Sequence, residues 1–335
     1  MAIRYERAPE EKFLGLFQSG KLLSGLRGNL SVSSGKYSEK LDLQFRENNE
    51  AMLYWGLTRI LSVRLLHNGK ELSLSKTSPT YKKQGGRLFT NWTLDTSADD
   101  FNKQLLPFIN RVRINRRYMA KEGLIHVRWA SMATSPFPGM PWTPVDREAV
   151  LGYDDTPMRT NYVTQSNVLD AIEKEIPSLP RKKRWAKLPA RTDHNEVDQI
   201  GISMDGRRLY LVEMKSGSDS AAYYAPLQAA RYYVEWKRAF DDSGAGIVDG
   251  INKLIEAKKK LGLLPKATPT FIADSVEIVP VVAFGSDLPS DEVKSRFAQV
   301  KACVVNQLRA YHGNQVEMEE WYWPTSGRSP KPVRP

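Results

Sequence analysis

Cysteine is nearly absent from this sequence, which has one cysteine and four histidines among 335 residues. A single cysteine excludes an intramolecular disulfide and any zinc or iron–sulfur site built from several thiolates. Cys303 lies in the apolar run VKACVVNQL, so we expect a small buried side chain there. The sequence also lacks an apolar stretch long enough for a signal peptide or a membrane span, which predicts a cytoplasmic protein without a membrane partner.

Basic residues outnumber acidic ones, and the formal net charge is +11. A surplus of positive charge attracts polyanions, with nucleic acid favoured over an anionic membrane. Many basic proteins bind neither, so the charge supports a nucleic-acid partner but does not establish it. The length and the overall composition are typical of a globular protein with two domains.

The most informative stretch runs from Glu196 to Gly217 and reads EVDQIGISMDGRRLYLVEMKSG. Apolar and polar residues alternate on both sides of the pair Asp205-Gly206. An Asp-Gly pair between two alternating runs predicts a β-hairpin with a type I′ turn, because that turn needs positive φ at both central residues.

Placing the turn at that pair defines which residues face each other across the hairpin. Asp198 then lies opposite Glu213, and Glu196 lies opposite Lys215. Since side chains alternate between the two faces of a strand, Glu213 and Lys215 share a face while Met214 points away. The Cβ atoms of directly opposed residues are about 5 Å apart, so two carboxylates are brought together.

Opposed carboxylates repel each other unless a cation lies between them. Hard oxygen ligands at this spacing suit Mg²⁺ or Mn²⁺, and a neighbouring lysine can position or polarise a water molecule. The alternative is the solvated face of an ordinary hairpin, whose cross-strand charge pairs contribute only about 0.2–1 kcal/mol each. The opposed acids favour a site, because like charges destabilise a hairpin that has no other use for them.

The pattern of Asp198 followed by Glu213-Met214-Lys215 resembles the PD-(D/E)XK nuclease superfamily. That superfamily has an acidic residue on one strand and (D/E)-x-K on the next. Val197 replaces the proline that often precedes the first acid. Further on, PLQAARYYVEW places Gln228 and Tyr232 on a predicted helix similar to the Q-x-x-x-Y helix of the RecB-type exonuclease branch.

The resemblance implies an α/β fold with a restriction-endonuclease-like αβββαβ core and a mixed central sheet. The hydrophobic patterns agree with a helix, three strands, a helix, a strand, a helix and a final strand. We predict this nuclease domain over residues 161–323, about half of the chain. It follows an N-terminal mixed α+β domain over 1–132 and a proline-rich linker over 133–160, and it precedes a disordered tail over 324–335.

The implied activity is that of a deoxyribonuclease, a metal-dependent phosphodiesterase or endonuclease that uses Mg²⁺ or Mn²⁺. By resemblance, Asp198, Glu213 and the carbonyl of Met214 hold one or two metal ions. Lys215 orients the attacking water or helps to deprotonate it, and Gln228 holds the surroundings of the site or a metal-bound water. Restriction, processing of phage or mobile elements, and repair are the implied biological roles.

The family often adds a glutamate from the helix that precedes the strands. In this sequence Glu173 is the candidate metal ligand, and Glu175 is the alternative. Both flank the apolar stripe of the predicted helix, so the pattern does not choose between them.

Residues 181–191, RKKRWAKLPAR, carry a dense group of positive charges just before the hairpin. Basic residues beside a metal site suit contact with a phosphate backbone, and Trp185 suits stacking on a base. A solvated basic loop is the alternative. The predicted nucleic-acid-binding residues are Arg181, Lys182, Lys183, Arg184, Lys187 and Arg191.

Two other functions are compatible with these patterns. One is a catalytically inactive nucleic-acid-binding or assembly protein with the same fold, and the other is an RNA nuclease. DNA is the expected substrate, although no residue separates DNA from RNA. The N-terminal domain is expected to bind substrate, or to bind a second copy of the chain or a partner protein.

Overall fold

The structure, a computed structural model, divides the chain into two compact units. Unit A comprises Glu6–Ser135 and Gly250–Thr268, and unit B comprises Met1–Tyr5, Pro136–Asp249 and Pro269–Pro335. The residues that the structure describes are 3–28, 30–34, 37–75, 92–112, 123, 125–129, 141–180, 185–192, 195–271, 276–286, 289–324 and 331–332.

Unit A contains two antiparallel sheets and short helices. Its strands are β1 (Ser31–Ser34), β2 (Tyr37–Lys40), β3 (Asp42–Arg46), β4 (Glu50–Trp55), β5 (Thr58–Leu65), β6 (Glu71–Ser75) and β7 (Trp92–Thr93). β1 pairs with β2, and the other five form one sheet in the order β3-β4-β5-β6-β7. Its helical segments are α1 (Glu11–Gly15), α2 (Ala98–Arg111), a 3-10 turn at Ser24–Arg27 and residues 125–129.

Unit B contains the second large sheet and the longer helices. Its strands are β8 (Trp142–Ala149), β9 (Val197–Ser203), β10 (Arg208–Ser216), β11 (Glu277–Ser286), β12 (Glu319–Pro324) and β13 (Lys331–Pro332). Its helices are α3 (Thr156–Thr164), α4 (Asn167–Glu175), α5 (Ala225–Lys260) and α6 (Asp291–His312), with 3-10 turns at Ile176–Ser178 and Ala222–Tyr224. The residues of α5 after Asp249 belong to unit A.

The sheet of unit B is mixed, with the strand order β13-β12-β11-β10-β9-β8. β9 is antiparallel to both of its neighbours, β8 and β10, whereas β10, β11 and β12 run parallel and are joined through α5 and α6. Parallel neighbours joined by helices confirm the predicted α/β class. The predicted order of elements is wrong in one respect, because β8 comes before α3 and α4 rather than after them.

The register of the β9–β10 hairpin is the one predicted from the sequence. Leu209 pairs with Ile202, Leu211 with Ile200, and Val212 with Gln199. Val212 and Gln199 are the sequence neighbours of Glu213 and Asp198, so the next pair along the hairpin would be Glu213 and Asp198. The alternation of apolar and polar residues therefore specified which side chains share a face.

The turn itself differs from the predicted type I′ turn. β9 ends at Ser203 and β10 begins at Arg208, so four residues form the loop. Gly206 has φ +72°, but Asp205 is not among the residues with positive φ. The Ser203 hydroxyl accepts hydrogen bonds from the backbone N–H groups of Arg207 and Arg208, which favours the longer loop. Because this loop is still centred on the Asp-Gly pair, the register is unchanged.

Gly206→Ala should destabilise the protein. Left-handed backbone costs a residue with a Cβ atom about 1–2 kcal/mol. The added Cβ would also lie 2.4 Å from the carbonyl oxygen of Thr270. Gly15→Ala is the control, since a Cβ there meets nothing within 4 Å. Chemical denaturation should show a lower midpoint for Gly206→Ala alone, and equal midpoints would show that the loop relaxes without cost.

The predicted linker over residues 133–160 is wrong for most of the part that the structure describes. Residues 142–149 form β8, and a helix begins at Thr156. Pro144 is tolerated because β8 is an edge strand, where one side of the backbone needs no ladder partner. Pro157 is tolerated because it lies in the first turn of α3, where its missing N–H has no intrahelical acceptor.

The predicted disorder of residues 324–335 is also wrong in part. Lys331 and Pro332 form β13, which pairs antiparallel with Tyr322 and Trp321 of β12. The outer edge of β12 presents backbone groups that accept a further strand. Pro324 is the last residue of β12, and residues 325–330 and 333–335 lie outside the described part of the chain.

Apolar side chains are buried where β10 and β11 lie between other strands. Leu211, Val212 and Met214 of β10 are fully buried, in agreement with an interior strand. Cys303 on α6 is buried as expected, and burial followed by the charge of Glu175 raises the pKa of its thiol to about 12. None of the helices in the described ranges combines the length and the apolar run needed to cross a lipid bilayer.

Candidate active site

Asp198 lies at the start of β9, beside the end of the hairpin ladder. Continuing the observed register places it opposite Glu213, although the paired residues end at Val212 and Gln199. The backbone N–H of Met214 donates to Asp198 Oδ2 at 2.7 Å. In a continued ladder that N–H would face Val197, so the carboxylate of Asp198 takes the place of the next ladder partner.

Glu213 is the most buried acidic residue of this group, with 1% of its surface exposed. Lys215 Nζ lies 2.5 Å from Glu213 Oε1, and the hydroxyl of Tyr232 donates to Glu213 Oε2 at 2.7 Å. Both carboxylate oxygens therefore have a partner. The predicted neighbours Glu213 and Lys215 do share a face of β10 and are in direct contact.

Tyr232 is the residue that sequence reasoning left without a role. It is buried on α5, and desolvation, followed by the charges of Glu213 and Asp198, raises its pKa well above the ordinary value. The phenol is therefore neutral near pH 7 and acts as a hydrogen-bond donor to Glu213. The Q-x-x-x-Y spacing could have indicated this role, because residues four apart lie on one face of a helix and Tyr232 therefore faces the same way as Gln228.

Gln228 lies one helical turn before Tyr232 on α5 and is half-buried. The described structure shows no hydrogen bond from its side chain to Asp198, Glu213 or Lys215. Gln228 thus shares the helix face of Tyr232 without joining the hydrogen-bonded cluster. The role that the resemblance implies for it stays a prediction.

Glu173 lies in a different cluster from the one predicted. Its Oε1 accepts from Arg191 Nε at 3.0 Å and from Arg231 Nη2 at 2.8 Å. Glu175, the alternative, accepts a hydrogen bond from Gln307 at 2.6 Å. Within the described residues, neither glutamate forms with Asp198 and Glu213 a group of three acids that could hold a metal ion.

Arg191 is held by acidic partners rather than presented to a ligand. Its guanidinium contacts Asp170 Oδ1 at 2.7 Å and Glu173 Oε1 at 3.0 Å, and it donates to the carbonyl of Thr164 at 2.5 Å. These contacts stabilise the packing of the segment against α3 and α4. The predicted contact of Arg191 with phosphate stays a prediction.

Trp185 also differs from its prediction as a base-stacking residue. Its side chain is 5% exposed and packs edge-on against Tyr223, with ring centroids 5.1 Å apart. The guanidinium of Arg296 lies 5.5 Å from the centre of the indole ring. A ring enclosed in this way packs in the interior and is not available to stack on a base.

Of the other predicted nucleic-acid-binding residues, Lys187 is exposed, whereas Arg181, Lys182, Lys183 and Arg184 lie outside the described residues.

Backbone contacts fix the rest of this segment. The N–H of Ala186 donates to Tyr223 Oη at 2.7 Å, and Tyr224 donates to the carbonyl of Ala186 at 2.9 Å. Arg231 donates to the carbonyls of Pro189 and Ala190 at 2.6 and 3.1 Å. Tyr223 and Tyr224 follow β10, so the segment is fastened to the element that comes directly after the hairpin.

The oxygen atoms of Asp198, Glu213 and the Met214 carbonyl are of the kind that Mg²⁺ binds, but they are few. Magnesium binds proteins through one or two carboxylates and keeps several water molecules. Asp198 and Glu213 would supply the carboxylates, and the carbonyl of Met214 points to the same edge of β10 as its N–H, the edge where Asp198 lies. No group of three or more His, Cys, Asp or Glu side chains suited to a metal occurs among the described residues.

A separate open cavity of about 670 Å³ lies elsewhere in unit B. It is lined by the start of α4, the end of α6 and the α5 residues Val234, Arg238 and Asp241. At 100° per residue these positions lie on the opposite side of α5 from Tyr232. The candidate active site is therefore not in this cavity.

Comparison with known proteins leaves the family of this chain open. No protein-family model matches it, no curated protein matches it, and no solved structure matches it. The function is therefore inferred from the residues and their geometry alone.

Proposed function

We propose that this protein is a Mg²⁺-dependent nuclease that hydrolyses phosphodiester bonds in DNA. The observation that carries the proposal is the contact between Lys215 and the buried Glu213, with Asp198 beside them on the adjacent strand. An acid on one strand and E-x-K on the next is the pattern of the PD-(D/E)XK nucleases. A buried carboxylate in contact with a lysine on an interior strand, next to a second acid, is a candidate functional site.

The arrangement of elements supports the same proposal. β9, β10, α5 and β11 form a hairpin, a helix and a parallel strand in that order, and β8 supplies a third antiparallel strand. These are the components of an αβββαβ core, with α3 and α4 inserted after the first strand. We therefore propose a restriction-endonuclease-like core for unit B.

In this proposal Asp198 and Glu213 hold the metal ion together with the carbonyl of Met214. Bound Mg²⁺ supplies charge stabilisation at the phosphate during attack. Lys215 orients the attacking water through its ammonium group. Tyr232 fixes the carboxylate of Glu213 through the hydrogen bond to Oε2.

The test is cleavage of labelled single- and double-stranded DNA and RNA, with Mg²⁺ and with a chelator. We expect cleavage of DNA with Mg²⁺ and none with the chelator. Cleavage of RNA alone would indicate a ribonuclease. Binding of nucleic acid without cleavage of any substrate would indicate a binding or assembly protein with the same fold, and would contradict the proposal.

DNA binding should weaken steeply with salt, because neutralised phosphates release counterions. Reversing the charges of Arg181, Lys182 and Lys183 should lower affinity and flatten the dependence of log K on log salt by about 0.9 per lost duplex phosphate contact. Fluorescence anisotropy at several salt concentrations measures this slope.

The control reverses three exposed lysines of unit A, namely Lys21, Lys70 and Lys266. It changes the net charge by the same amount without touching the basic segment. Equal flattening in both variants would show that overall charge, rather than residues 181–183, determines DNA affinity. An unchanged slope in the first variant would remove the segment from the interface.

A further inference from the structure

In this structure Lys215 forms an ion pair with Glu213, which is one of the two carboxylates that the proposed function gives to the metal ion. Its ammonium lies 2.5 Å from Glu213 Oε1, and only 15% of the lysine side chain is exposed. Tyr232 occupies the other oxygen of Glu213 at 2.7 Å. A hydrogen bond from a neutral phenol leaves room for a cation at the carboxylate, since each oxygen has two acceptor positions.

A second cation at the same carboxylate conflicts with Lys215. An ammonium in contact with Oε1 repels a divalent ion bound by the same carboxylate, and the repulsion is strong because the site is poorly solvated. Movement of the lysine away from Glu213 would relieve this repulsion when a divalent ion binds. Its flexible four-carbon chain allows this movement without a change in the backbone of β10.

Glu196 is the acid best placed to receive the displaced ammonium. It is exposed and directly precedes β9, and it would lie opposite Lys215 in a hairpin register continued past the last observed pair, Val212 and Gln199. It shares the face of Asp198, two residues further on. Its charge also contributes, after those of Glu213 and Asp198, to the raised pKa of Tyr232, so it belongs to the same electrostatic group.

We infer that Glu196 is a positioning residue, which receives the ammonium of Lys215 when a divalent cation binds Asp198 and Glu213. The inference rests on the proposed nuclease function and adds a residue to it. In the metal-free protein Lys215 contacts Glu213. In the metal-bound protein Glu196 holds Lys215 at the edge of the hairpin, where it orients the attacking water.

Calorimetric titration of metal-free protein with Mn²⁺ tests this exchange through a cycle of Glu196→Gln, Lys215→Met and the double variant. Lys215→Met should bind Mn²⁺ about fivefold or more tightly than wild type, the lower end of ordinary coupling between sites. Glu196→Gln should bind it more weakly, because the displaced lysine loses its second partner. In the Lys215→Met background Glu196→Gln should have no further effect.

Two further variants serve as a control and as a second test of the role of Lys215. Glu277→Gln is the matched control, since Glu277 is an exposed acid of the same sheet that pairs with Arg208 at 2.9 Å. It should leave Mn²⁺ affinity unchanged. Lys215→Arg retains the positive charge, and because a guanidinium binds a carboxylate through two hydrogen bonds, it should weaken Mn²⁺ binding. It keeps the test decisive if Lys215→Met does not fold.

Several results would overturn the inference while leaving the nuclease proposal intact. Mn²⁺ affinity unchanged in Lys215→Met and Lys215→Arg would show that Lys215 does not compete with the ion. A full effect of Glu196→Gln in the Lys215→Met background would make Glu196 a direct ligand or a general charge. Failure of the proposed function has a different signature, namely no DNA cleavage by wild type and no effect of Asp198→Asn on Mn²⁺ binding.

Discussion

Asp198→Asn should lower the rate of DNA cleavage by several orders of magnitude while the protein remains folded. The substitution removes a formal charge from the proposed metal site, and the ion supplies most of the charge stabilisation during phosphodiester hydrolysis. Folding should survive because the asparagine oxygen can still accept the hydrogen bond that Met214 donates to Asp198 Oδ2. Single-turnover cleavage of labelled DNA and denaturant unfolding of the same variant measure the two effects.

Asp219→Asn is a matched control for this substitution. Asp219 follows the same hairpin, and its carboxylate likewise accepts a backbone hydrogen bond, from Ala221 at 2.9 Å. The control loses one negative charge and keeps its turn contact, so cleavage should stay close to wild type. A comparable loss of cleavage in both variants would assign the effect to general charge rather than to the position of Asp198.

Glu213→Gln should reduce both stability and cleavage. Glu213 is 1% exposed and accepts from two donors, Lys215 and Tyr232. A glutamine can accept through only one of its two terminal atoms, so its amide N–H would face a second donor. Breaking a buried ion pair by removing one partner typically costs about 3–5 kcal/mol. Denaturant unfolding should therefore show a clear loss of free energy, alongside loss of cleavage.

Tyr232→Phe separates the hydrogen bond from the ion pair. It removes one donor to Glu213 and leaves Lys215 in contact, so its stability loss should be smaller, about 1–3 kcal/mol for an acceptor left without its partner. An unfolding midpoint for Glu213→Gln equal to that of wild type would contradict the buried ion pair. A larger loss for Tyr232→Phe than for Glu213→Gln would assign the stability to the phenol instead.

The hairpin could be predicted from the sequence because the information for it is local. Alternating apolar residues and the pair Asp205-Gly206 define which residues face each other, and the observed register agrees. The turn type was not predictable from that pair. It depends on the side chain of Ser203 and on the backbone of Thr270, which lies against Gly206 from a distant part of the chain.

The contacts of the other candidate residues depend on packing between distant elements. Glu173 follows an apolar stripe that predicts its helix, but the stripe does not reveal that Arg191 and Arg231 reach its carboxylate. Similarly, a basic run containing Trp185 suggests an exposed ligand-binding segment. The enclosing rings of Tyr223 and Tyr224 come from the turn after β10, about 38 residues later, and no local pattern indicates them.

Proline was a misleading signal for the start of unit B. Closely spaced prolines predict an extended linker, yet the effect of each proline depends on its place in the fold. Pro144 lies in the edge strand β8, and Pro157 lies in the first turn of α3. The sequence shows where the prolines are, but only the tertiary structure shows that β8 is at the edge of the sheet.

The most direct measurement for the proposed function combines metal binding and cleavage on the same preparations of wild type and Asp198→Asn. Mn²⁺ binding is measured by calorimetry, and cleavage of labelled DNA is followed on gels. We predict that wild type binds Mn²⁺ and cuts DNA, while the variant loses most of its metal affinity and its cleavage together. An Asp198→Asn protein that binds metal and cuts DNA at a rate near that of wild type would contradict the assignment of this hairpin as the active site.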